Sequence, residues 1–131
     1  MSRKFMMAGA VLAVATSLTG TALGGADDYS FEPVKAEVKK GSEVTLTVRL
    51  VHKPTRKPVS DAVIFSPRID MSPEGMATMT APATPAAGTE PGTYSFKTDL
   101  VMAGRWLLTL SAKVQGEHET VTGKITFTAA E

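Results

Sequence analysis

No cysteine occurs anywhere in this 131-residue chain. That excludes a disulfide staple, a thiolate nucleophile, a Cys-ligated zinc site and a redox pair. Whatever the chain folds into must stand on its apolar core alone. Histidine is nearly absent: His52 and His118 lie far apart and form no His-x-x-x-His pair, which argues against zinc or type-II copper bound by one chain. Aromatic residues make up 6% of the sequence, with a single tryptophan, Trp106. That is too few for the exposed platform a carbohydrate-binding sandwich would need. Neither sign of charge dominates, with 14 Lys+Arg against 13 Asp+Glu, so no basic surface for nucleic acid is on offer. No Gly-x-Ser-x-Gly elbow is present, and the pair Asp70 and Glu74 falls near a turn, with nothing to place them across a cleft as acid and base. The chain reads as a non-enzyme. After the first 26 residues no stretch is apolar for long enough to span a bilayer, so no transmembrane segment is expected in the mature chain.

The first 26 residues have the order of a secretory signal. Met1-Ser2-Arg3-Lys4 is a short basic start, Phe5 to Leu18 is apolar and Ala-rich, and Gly24-Gly25-Ala26 precedes Asp27-Asp28. This pattern predicts a cleavable signal peptide over 1–26, cut after Ala26, with a second small-residue site after Ala22. Cleavage removes Arg3 and Lys4 and no anion, leaving 12 Lys+Arg against 13 Asp+Glu in a single domain over 27–131. The expected location is the periplasm.

Downstream, the hydrophobic pattern has a period of two. Asp27 to Glu32 is polar and reads as a frayed start. Val34, Ala36 and Val38 alternate with charged residues. Val44, Leu46, Val48 and Leu50 alternate with Thr45, Thr47 and Arg49, with His52 in the inward phase at the strand's end. Lys53 to Pro58 holds two prolines and reads as an exposed basic loop. Val63, Phe65, Ile69 and Met71 share one phase, with Pro67 marking an edge strand or a bulge. Met76 to Ala81 is a short strand, and Pro82 to Pro91 a loop. Tyr94, Phe96, Leu100 and Met102 recur at period two. After the break at Gly104-Arg105, Trp106, Leu108, Leu110, Ala112 and Val114 make the most apolar strand, with Trp106 as core anchor. Val121, Ile125 and Phe127 alternate with threonines in the last strand. No mature stretch sustains a 3.6-residue period. About seven short strands with regular turn signals predict an all-β, immunoglobulin-like antiparallel β-sandwich, with a small barrel as the alternative.

The chemistry with the most interest lies between Ile69 and Pro82. Met71, Met76 and Met79 sit in a segment punctuated by Pro73, Gly75 and Pro82. Thioethers are soft ligands suited to Cu(I). They are also gap-filling core residues and adaptable docking surface. The metal reading takes its ligands from Met76, Met79, Met71 and Met102, with His52 or His118 as an imidazole. Since Met76 and Met79 are an odd number of residues apart, a regular strand would point them to opposite faces. The reading then narrows to Met76 or Met79 with a partner such as Met102 or His52.

Four segments in order carry a resemblance: Val59-Ser60-Asp61-Ala62-Val63, the Met71…Met76…Met79 stretch, Pro91-Gly92-Thr93-Tyr94-Ser95-Phe96, and Met102-Ala103-Gly104-Arg105-Trp106-Leu107-Leu108. They are similar to the small periplasmic domains of the YtkA-like/FixH type, from about Val44 to Phe127. The resemblance implies an immunoglobulin-like sandwich working in bacterial envelope metal handling, beside copper-transport or oxidase-assembly proteins. Two functions follow as expectations. One is an exported accessory, metallochaperone-like module that binds Cu(I) weakly. The other is a metal-free interaction module that docks on an envelope complex through the same methionine segment.

Overall fold

Alternating apolar residues can bury one side of a strand only if a second sheet covers them, and two sheets form here. The computed structural model describes residues 25–131. Apart from Gly25 and Ala26, the expected signal peptide lies outside the described residues. The strands are β1 (Tyr29–Pro33), β2 (Glu37–Lys39), β3 (Gly41–His52), β4 (Lys57–Pro58), β5 (Val63–Met71), β6 (Met76–Ala81), β7 (Thr84–Ala86), β8 (Thr93–Leu100), β9 (Gly104–Lys113) and β10 (Val121–Ala130). Single 3-10 turns occupy Ala26–Asp28 and Ser72–Glu74, and there is no α-helix among the described residues. One sheet has the order β1-β3-β8-β7, with β4 added to β3; the other runs β2-β10-β9-β5-β6. All neighbours are antiparallel except β2 and β10. The molecule is an all-β sandwich.

The two inner faces make the core. Leu46, Val48, Ile69, Met71, Phe96, Leu100, Trp106, Leu108, Leu110, Ile125 and Phe127 pack as one cluster; Leu50, Ala112, Val114 and Val121 form a second at the far end. The alternation in β3, β9 and β10 is the one the sequence predicts. Trp106 is buried and its indole N–H donates to the Met102 carbonyl at 3.1 Å, which satisfies its one polar group.

Three segments differ from expectation. The start is not frayed: Ala26–Asp28 is a turn and Tyr29–Pro33 pairs with β3. The chain then leaves the first sheet, exposes Val34, and joins the second as β2. The Pro82–Pro91 stretch contains β7, paired with β8 in the first sheet, so it also carries the chain from one sheet to the other. In β5 the register slips by one residue between Phe65 and Arg68, where Ser66 has φ 53°. One extra residue reverses every side chain before it. Ile69 and Met71 are therefore buried, while Val63 and Phe65 are 65% and 38% exposed. These four do not share a face.

Candidate functional site

The sandwich has two ends, and the methionines gather at one. The end is built from the β5–β6 hairpin, the β8–β9 connection and the start of β3, since Gly41 pairs with Leu100 and Met71 with Met76. Pro73 and Gly75 shape the hairpin. Gly75 takes a left-handed conformation (φ 78°) and its N–H donates to the Ser72 carbonyl at 2.9 Å, closing the 3-10 turn. The four residues Ser72–Gly75 thus return the chain so that Met76 faces Met71. Directly opposed residues of an antiparallel pair lie on one face, with Cβ atoms about 5 Å apart. Spacing along the sequence gave no sign of this pairing, which depends on the conformation of the turn.

Ionic contacts fix the hairpin on both sides. Glu74 Oε2 accepts from the backbone N–H of Arg105 and from its Nε, each at 3.0 Å, while Arg105 Nη2 donates to the Pro73 carbonyl at 2.8 Å. The Arg105 guanidinium holds the Glu74 carboxyl below its ordinary value. Asp70 Oδ1 accepts from the Ser72 N–H at 2.8 Å and Oδ2 from Arg68 Nε at 2.9 Å. Hydrogen bonding from Ser72, aided by Arg68 and opposed by burial, keeps this carboxyl low as well. Both carboxylates are committed to holding the turn, which suits neither to an acid–base pair. Arg68 Nη2 also reaches across to the Ala77 carbonyl at 3.0 Å.

Each sulfur has a different environment. Met71 is 1% exposed, in the main core cluster. Its Cε lies 3.0 Å from where a Cβ on Gly104 would sit, and the φ of 135° at Gly104 is a backbone conformation that favours glycine. Met76 and Met79 are half-buried and both pack against the same core cluster. They do not face opposite sides, as regular alternation requires, because the β5–β6 register shifts between Asp70 and Met71. The residues after Met76 bulge and the phase resets. Met102 lies beyond the end of β8 at 39% exposure, next to Val101 at 62%. Period two puts Met102 inside, but the strand ends at Leu100 and the residue is exposed.

The histidines are elsewhere. His52 closes β3, opposite Tyr29 in the register, and eleven residues of strand rise put it roughly 35 Å from the Gly41 end. Its Nδ1 hydrogen-bonds Thr55 Oγ1 at 2.8 Å, and its ring lies 5.1 Å from that of Tyr29. His118 falls in the β9–β10 connection at that same far end. The structure therefore brings Met71, Met76 and Met102 to one end, with Met79 further along β6, and separates His52 from all of them. No group of three or more His, Asp or Glu side chains that could hold a metal occurs among the described residues.

Among described residues no helix is long and apolar enough to cross a membrane. Among solved structures, the filamin domain of Lin-41 is similar at 17% identity and a TM-score of 0.46, over 79% of this chain and 93% of that one. No curated protein matches the sequence. The YtkA-like family model matches residues 24–111, which takes in β1 through most of β9 and the whole methionine hairpin. With well over half of its residues under that match, the chain belongs to the YtkA-like family.

Proposed function

We propose that this domain is an exported accessory module of envelope metal handling, and that it holds Cu(I) weakly through the thioethers of Met71 and Met76, completed by Met102 or Met79. The observation that carries the reading is the Met71–Met76 register. It sets two soft donors side by side at an end where the nearby carboxylate Glu74 is already neutralised by Arg105. A soft monovalent ion suits such a site; a hard divalent cation, which wants oxygen donors, does not. Met76 is half-buried and Met102 is 39% exposed, so both residues lie within reach of a partner, as transfer requires. The partner is an envelope metal-transport or oxidase-assembly protein. No reaction is assigned to the domain.

The exposure of Val101 beside Met102 favours a second reading, metal-free docking through the same end. A titration separates the two. The purified domain competes for Cu(I) against a chelator, beside a variant carrying Met71→Leu, Met76→Leu, Met79→Leu and Met102→Leu. Leucine retains the apolar volume at a cost usually under about 1.5 kcal/mol per site. Wild type is expected to withhold Cu(I) at least tenfold better than the variant, with His52→Ala matching wild type. Equal, poor competition by wild type and the leucine variant rejects copper and leaves docking.

A further inference from the structure

Three positions in the small-residue stretch satisfy an export peptidase, which needs small side chains one and three residues before the cut. Cutting after Ala22 uses Gly20 and Ala22; after Gly24, Ala22 and Gly24; after Ala26, Gly24 and Ala26. The sequence ranks the last first, but the fold uses residues that this cut would remove. The Ala26 N–H donates to Glu119 Oε1 at 3.0 Å. The Gly25 carbonyl accepts from the Asp28 N–H at 3.0 Å and closes the turn that leads into β1. The Ala26 side chain packs on the cluster of Leu50, Ala112, Val114 and Val121. The Glu119 carboxylate lies so close over Gly25 that a Cβ there would come within 2.7 Å of it. Next along, the Tyr29 hydroxyl donates to Glu117 Oε2 at 2.9 Å, so the β9–β10 connection grips the start of the domain twice. Independently, the family match begins at residue 24.

We infer that the signal is cut upstream of Gly25, after Ala22 or Gly24, and that the mature protein keeps Gly25 and Ala26 as its anchored first turn. A cut after Gly24 places the new α-ammonium one peptide from the Glu119 carboxylate, where opposite charge strengthens the existing hydrogen bond. A cut after Ala26 deletes the Glu119 partner, the turn's acceptor and the Ala26 methyl together.

The inference rests on the export reading, and one experiment tells the two apart. The full chain is produced in a bacterium that exports through the general secretory route, and the exported protein is read by N-terminal sequencing and intact mass. A first residue of Leu23 or Gly25 is the expected result. Asp27 as first residue, or an exported chain left uncut, overturns this inference alone; a chain recovered only from the cytoplasm overturns it together with export. A second measurement compares melting of chains that begin at Gly25 and at Asp27. The longer one is expected to melt roughly 4–8 °C higher, an advantage that Glu119→Ala reduces without abolishing, since the Gly25 turn and the Ala26 packing remain. Equal melting temperatures overturn the structural role given to these two residues.

Discussion

Met71 combines two properties that ordinarily conflict, being both buried in the core and a ligand candidate. Its methyl fills the space left by the absent side chain of Gly104, so replacing it with alanine opens a cavity and costs about 2–5 kcal/mol. Leucine is the informative substitution, because it removes sulfur without emptying the site. Tyr29 carries a pH signature at the opposite end. Burial, then the hydrogen bond to Glu117 and its negative charge, push the phenol from 10.0 up to about 12. A raised value means that the folded state holds the proton more tightly than the unfolded chain. The stabilisation is complete below pH 10.0 and is lost as pH climbs toward about 12. With Tyr94→Phe, Tyr29 is the one remaining tyrosine of the two. Ultraviolet titration of that variant is expected to give a midpoint near 12, falling when Glu117→Gln is added. A midpoint near 10 in the folded protein contradicts the Glu117 contact.

At the scale of elements, the β5 bulge makes a prediction that hydrophobicity alone reverses. Phe65 and Ile69 are both large and apolar, but the slip at Ser66–Pro67 puts Phe65 outside and Ile69 inside. Phe65→Thr should change stability by about 0.5 kcal/mol or less. Ile69→Thr should cost roughly 2–4 kcal/mol, through lost packing and a buried hydroxyl. Denaturant unfolding of the two variants checks this, and equal losses would mean that the register is wrong. The same bulge shows what the sequence could convey. β3, β9 and β10 were legible because unbroken alternation of Val44–Leu50, Trp106–Val114 and Val121–Phe127 meets a fully covering sheet. Pro67 announced an irregularity in β5 without saying that it inserts one residue, and that count decides the faces. At the site, the presence of Met71, Met76 and Met79 in one hairpin could be read directly. The pairing of Met71 with Met76 could not, since it follows from the Gly75 turn and a register shift in β6. Nor could the sequence reveal that His52 stands at the other end, because that depends on which way β3 runs. Tyr29 and Phe31, in a stretch dominated by acids, gave too short a signal to mark β1.

As a whole molecule, the domain separates its tasks by end. The far end anchors the first turn through Glu119 and Glu117 and holds both histidines. The near end braces a methionine hairpin with the Glu74–Arg105 and Asp70–Arg68 pairs. Without cysteine, no disulfide ties the sheets, and they share a core that runs the length of the sandwich from Met71 to Val121. This arrangement keeps imidazole away from any ion bound among the thioethers. X-ray absorption at the copper edge of the Cu(I)-loaded domain tests that separation directly. A first shell of sulfur alone, unchanged in His52→Ala, is the expected result. A shell dominated by nitrogen, with the scattering pattern of imidazole, would contradict it and move the metal to the opposite end of the sandwich.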